Sequence, residues 1–169
     1  LVASVNAENT FGGIAREYID FKMVGEQRSE VTVAKARWLL DQLKPLAPLP
    51  VAEIRPAEVL GALRRIEAKG KHETARRCRS FASRVFRYAV ATARAENDPS
   101  SVLRGALITP KVTHYAAMTE PAQVGDLLRS IDQYTGSVIT KIAMQVTPHV
   151  MCRPGELRQA EWSEFDLEK

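Results

Sequence analysis

Arg76, Arg77, Ser80, Ser83, Arg84 and Arg87 lie in one stretch. At about 100° per residue they share one side of a helix running from His72 to Arg94, with Arg94 on the same side and Arg79 at its flank. Guanidinium groups repeated at this spacing suit paired hydrogen bonds to phosphate oxygens and to guanine edges. The opposite side carries Cys78, Phe81, Ala82, Val85, Tyr88, Ala89 and Thr92, the recurrence of a core-facing helix. From Lys71 to Arg94 there are seven basic residues and one acid, Glu73, a charge of +6. The whole chain of 169 residues carries +4, so everything else sums to −2. A solvated face, the competing reading, normally interleaves signs, because like charges at i,i+4 repel. Segregated arginine points instead to a helix laid in a nucleic-acid groove. Lys71 at the helix start and Lys35 upstream are further candidate DNA contacts, and Arg37 is a secondary one.

The elements that must position this face follow from pattern. Thr10 caps a first helix in which Phe11, Ile14, Ala15, Tyr18 and Phe21 share a side, although Gly12-Gly13 weakens its start. Gly25 closes it. Ser29 caps a second helix with Val31, Ala34, Trp38 and Leu43 inward. Four prolines between Lys44 and Pro56 exclude a helix there, and the intervening Leu46, Leu49, Val51 and Ile54 predict a packed loop. Pro56 opens a third helix with Val59, Leu60, Leu63 and Ile66 inward, and Gly70 ends it. Asn97-Asp98-Pro99 stops the central helix and caps a short piece reaching Arg104. Short connections between helices predict a helical bundle. Gly105 to Thr119 lacks any period, and a domain boundary near Ile108 divides the chain into 1–107 and 108–169. Beyond it, Thr119-Glu120-Pro121 opens a helix with Val124, Leu127, Leu128 and Ile131 on one stripe. Another helix runs from Val138 to about Val146, with Ile139, Ile142, Ala143 and Val146 apolar. The alternation from Trp162 to Asp166 reads as the beginning of a strand.

Composition narrows the classes. With 45% hydrophobic residues the chain can build real cores. Cys78 and Cys152 lie far apart, and His72, His114 and His149 are scattered, so no metal site and no disulfide framework are expected. Cys78 is expected as a buried thiol. No apolar run is long enough for a membrane span and the N-terminal residues show no charged-then-apolar signal pattern, so a cytoplasmic protein is expected, and no cofactor is expected. A start at Leu1 without methionine and a stop in mid-pattern at Lys169 suggest a piece of something longer.

Two segments, ETARRCRSFASRVFRYAVATARAENDPSSVLRGAL and CRPGELRQAEWSEFDLEK, resemble the prophage-type integrase branch of the tyrosine recombinases. LLRSIDQYTG, PVAEIRP and TFGGIAREYI are similar to that family as well, so the resemblance runs from about Thr10 to Lys169. It implies a mainly α chain: a helical-bundle, SAM-like core-binding domain, then the truncated, mostly helical beginning of a catalytic domain. The two would clamp duplex DNA from opposite sides at attachment or core sites, together with other recombinase protomers. The family integrates or excises DNA through a covalent 3'-phosphotyrosyl intermediate.

The resemblance places the family's first catalytic arginine at Arg153, in Arg153-Pro154-Gly155-Glu156-Leu157. A guanidinium there could bind two non-bridging oxygens as charge builds on them. Pro154 at the first helical position would leave free N–H groups near the same phosphate. Glu156 is expected as a structural anchor. Thr147-Pro148-His149 departs from the family's apolar run and predicts a kink before Arg153. Tyr18, Tyr88, Tyr115 and Tyr134 do not fit the nucleophile's place, so the chain alone is expected to be inactive. The alternative function is a helix-turn-helix DNA-binding regulator without catalysis.

Overall fold

The computed structural model describes residues 7–111 and 117–166. His114, Tyr115 and the middle of the Gly105 to Thr119 stretch lie outside them. The chain falls into two compact units, 1–112 and 113–169.

The first unit is a helical bundle. α1 spans Phe11–Glu17 and continues with π winding through Tyr18–Met23. α2 is Glu30–Gln42, α3 Pro56–Glu67 and α4 His72–Ala91. Thr10 caps α1 as expected: its Oγ1 accepts the Gly13 N–H at 3.1 Å. The next donors of that first turn are taken by the proline-rich loop, with Phe11 N–H to Leu49 O at 2.9 Å and Gly12 N–H to Ala47 O at 3.0 Å. This answers the usual orphaning of first-turn N–H groups. It also explains the glycine pair. A Cβ on Gly12 would sit 2.9 Å from Ala47 O, and one on Gly13 would lie against Ala7 O.

The loop is packed, with Leu46, Val51 and Ile54 buried. α3 begins at Pro56 with the Glu58 carboxylate accepting the Arg55 N–H at 2.8 Å, and the turn after Glu67 closes at Gly70, whose φ of +72° suits glycine. α4 is the central element. Cys78, Phe81, Ala82, Val85 and Ala89 are buried as the period requires, and Phe86 joins them, 5.2 Å from the Phe11 ring. Burying each phenylalanine fully contributes about 2–3 kcal/mol. Burial pushes the Cys78 thiol up to about 11.

Two stripes differ from the expectation. Phe21 is 77% exposed, and Ile19 and Met23 are buried in its place. The π winding takes more residues per turn than an α-helix, so it rotates the inward face away from Phe21. In α2 the buried residues are Val33, Ala36 and Leu39, with Leu43 just past its end, whereas Val31 is 80% exposed and Ala34 and Trp38 face solvent. Apolar residues occur on both sides of α2, and the side that meets α4 is the one buried.

In the second unit α5 spans Pro121–Asp132, α6 Val138–Val150 and α7 Pro154–Gln159. The cap of α5 is Glu120, one residue after the expected Thr119. α6 runs past Val146 and through Pro148. Pro148 has no N–H to give, and Thr147 Oγ1 bonds back to Ala143 O at 2.7 Å. The helix then stops at Met151, whose φ is +51°. The expected strand at Trp162 is a 3-10 turn, Trp162–Glu164, because the Glu164 carboxylate accepts the Glu161 N–H and closes a helical turn. No strand forms among the described residues. None of their helices is long and apolar enough to cross a membrane.

Candidate nucleic-acid interface

α4 turns its apolar stripe into the bundle, which leaves its arginines outward by geometry alone. They line one wall of a groove of about 650 Å³. Lys35 of α2 contributes a second wall, and the segment from Leu103 to Thr109 a third. Of the expected contacts, Lys35, Arg76, Arg77, Ser80, Arg84 and Arg87 meet there. Lys71 precedes α4 and does not line this groove.

The charges are not equivalent. Glu73 accepts Arg77 Nε at 3.0 Å and lies 3.7 Å from Arg76 Nη1, so one carboxylate offsets both. Arg84 and Arg87 have no carboxylate partner among the described residues, and Arg84 lies against the Phe81 ring at 5.8 Å. Ammonium Lys35 sits 3.8 Å over the Trp38 ring, which holds a cation without neutralising it.

Three expectations shift. Arg94 leaves the basic face and pairs with Glu17. Arg37 pairs with Asp20 at 2.9 Å, tying α2 to the π segment. Ser83 donates its hydroxyl to Asp98 at 2.5 Å and so serves the turn after α4. Conversely, the structure adds Arg79 and Arg104 to the groove wall. Arg79 was legible only as a flank residue. Arg104 gave no periodic signal, because it follows a turn.

In the second unit Arg153 is the N-cap of α7. The Glu156 carboxylate accepts its backbone N–H at 2.9 Å and its Nη1 at 2.8 Å. Those two bonds, the backbone one first, hold the Glu156 carboxyl below its usual range. Glu156 is thus an anchor, and the Arg153 side chain is 85% exposed. Arg55-Pro56-Ala57-Glu58 starts α3 in the same way, with Glu58 on the Arg55 N–H. The Arg-Pro-x-Glu start is therefore a folding device in its own right. Tyr18 and Tyr88 pack ring to ring at 5.6 Å, with the Tyr88 hydroxyl on Glu17.

Among known proteins, residues 11–106 match the model of the phage integrase central domain. The integrase of Enterobacteria phage P4 is 31% identical over 163 residues, which is 95% of this chain and 36% of that protein. The integrase of Shigella phage Sf6 is 29% identical over 161 residues, covering 95% of this chain and 41% of that protein. An NMR structure of a fragment of the phage integrase IntS of Escherichia coli is 26% identical; the match covers 63% of this chain and 98% of that one, with a TM-score of 0.48. The chain thus spans about two fifths of the length of these two phage integrases.

Proposed function

Because the chain belongs to the phage integrase family, we propose that 1–107 is the core-binding, DNA-binding portion of a site-specific tyrosine recombinase. Residues 108–169 are the first part of its catalytic domain. The observation that carries this reading is the groove on α4, where Lys35, Arg76, Arg77, Arg79, Arg84, Arg87 and Arg104 face one carboxylate, Glu73. A helix of 20 residues is about 30 Å long and fits the major groove of B-DNA, about 12 Å wide. Guanidinium groups along its outer face would meet phosphates on either side, and Ser80 and Arg84 would face base edges. The partners are duplex attachment or core sites and further recombinase protomers, and the setting is the cytoplasm, where that DNA lies.

The chemistry assigned to the second unit follows from Arg153. In the recombinase reaction a tyrosine oxygen attacks the phosphorus and forms a 3'-phosphotyrosyl bond. The 5'-oxygen leaves and takes up a proton. Charge accumulates on the two non-bridging oxygens, and Arg153 is the residue of this chain that would neutralise it. Its guanidinium is exposed, and although Nη1 bonds Glu156, the remaining N–H donors could turn to these oxygens.

A heteronuclear NMR titration of the chain with a duplex tests the DNA reading. Amides from Arg76 to Arg87, together with Lys35 and Arg104, should shift. Arg64 and Arg65 of α3, equally basic and outside the groove, should not. Shifts spread evenly over every basic residue would refute a defined interface.

A further inference from the structure

A recess of about 290 Å³ shares Arg79, Ser80, Arg87 and Arg104 with the groove. Its walls are Arg79, Ser80, Ser83 and Arg87 from α4, and Asp98, Ser101 and Arg104 from the turn that follows. Three guanidiniums around so small a space repel one another unless an anion sits among them. The one carboxylate present is occupied otherwise. Asp98 Oδ2 accepts the Ser83 hydroxyl at 2.5 Å, and Oδ1 accepts the Ser100 hydroxyl at 2.6 Å and the Ser100 N–H at 2.9 Å.

Those bonds make Asp98 a bracket between two pieces of chain. One end holds the middle of α4 through Ser83. The other holds Ser100, which is fully buried, and the 3-10 turn Ser101–Leu103 that leads to Arg104. Leu103 is buried and fixes that turn from below. Arg87 donates Nε weakly to Ser83 O at 3.4 Å. Arg79 is half-buried, yet no carboxylate pairs with Arg79, Arg87 or Arg104 among the described residues.

We propose that this recess seats one backbone phosphate of the bound duplex between Arg79, Arg87 and Arg104, and that Asp98 is the positioning residue that sets Arg104 against α4. Arginine is suited to it, because its planar fork gives two parallel hydrogen bonds to phosphate oxygens. The inference rests on the DNA-binding reading above and adds a specific seat to it. Asp98 carries negative charge and repels a phosphate, so by Coulomb's law alone its loss should tighten DNA binding. As a bracket, its loss should weaken binding. The opposite signs separate the two roles.

The test measures duplex affinity against salt for the full chain and for Arg104→Ala, Asp98→Ala, Asp98→Asn and Arg84→Ala/Arg87→Ala, with helicity and melting recorded for each. Arg104→Ala should reduce the steepness of log K against log salt by about 0.9, the value for one phosphate. Asp98→Ala should weaken binding about fivefold, as for loss of one phosphate contact. Asp98→Asn keeps a carbonyl for Ser100 and a polar group for Ser83, and should bind as well as the parent or better. Equal tightening in both Asp98 variants would overturn the bracket. An unchanged slope in Arg104→Ala, beside a reduced one in Arg84→Ala/Arg87→Ala, would overturn the seat and leave the DNA-binding reading standing. No salt dependence in the parent chain would overturn both. Inorganic phosphate should displace the duplex no better than chloride at equal ionic strength. Displacement by phosphate that disappears in Arg104→Ala would mark a free-anion site and overturn the duplex assignment.

Discussion

The Arg94 guanidinium grips the Glu17 carboxylate with two parallel bonds, Nη1 to Oε2 at 2.5 Å and Nη2 to Oε1 at 2.7 Å. The Tyr88 hydroxyl donates to the same carboxylate at 2.7 Å. An arginine that the helical period assigns to the DNA-facing side is thus spent on joining the end of α4 to α1. Arg94 lies beyond α4, after Ala93 with its φ of +56°, and the period no longer applies there.

This pair has a pH signature. The Arg94 bond, then the Tyr88 bond, bring the Glu17 carboxyl from its ordinary 4.5 down to about 2. A depressed folded value means the stabilisation is complete above pH 4.5 and is lost as pH falls toward 2. The Glu17 side chain is 40% exposed, so solvent screening limits the contribution to about 1 kcal/mol. Glu17→Gln should lower stability by that amount at pH 6 and differ little from the parent near pH 2. Urea unfolding at several pH values checks it, and a difference independent of pH would contradict it.

The glycines of α1 and α3 should respond in opposite ways. Gly13→Ala forces a Cβ against the Ala7 carbonyl and should destabilise by about 1–3 kcal/mol, the range for overpacking. Gly61 lies inside α3 with open space around it, so Gly61→Ala should stabilise by about 0.5–1 kcal/mol. Thermal melts of the two variants give the signs directly.

At Arg153 binding and rate should separate. The charge it would meet is complete only in the transition state, so Arg153→Ala should leave duplex affinity of this chain within about 1 kcal/mol. In the complete recombinase the same change should cost at least ~3 kcal/mol of barrier to covalent-complex formation, by analogy with loss of an oxyanion donor. Arg153→Lys should rescue poorly, since a point charge cannot bond two oxygens side by side. A near-normal rate of covalent-complex formation in Arg153→Ala would make this arginine only the helix start that its likeness to Arg55 already shows it to be.

Much of the bundle is readable from the amino acids because α4 segregates so cleanly, with Phe81 and Val85 on one side and Arg84 and Arg87 on the other. Pro56 and Gly70 bound α3 by rules that need no tertiary knowledge. α2 is different. Val31 and Trp38 compete with Val33 and Leu39 for the inner face, and only contact with α4 decides. The π winding that buries Ile19 in place of Phe21 is a backbone adjustment with no residue code. Arg104 lines the basic groove after a turn that Asp98 ties to Ser83 of α4, a contact that no local period contains.

The central claim is that α4 lies on duplex DNA through the arginines of its outer face. Its most direct test is the slope of log K against log salt for the chain and for Arg84→Ala/Arg87→Ala. Contact with at least four phosphates predicts a slope of about −3.6 or steeper, and the double variant should flatten it by about 1.8. The variant should melt as the parent does, since both side chains face away from the core. An affinity indifferent to salt, or a slope unchanged in a folded Arg84→Ala/Arg87→Ala chain, would contradict the account.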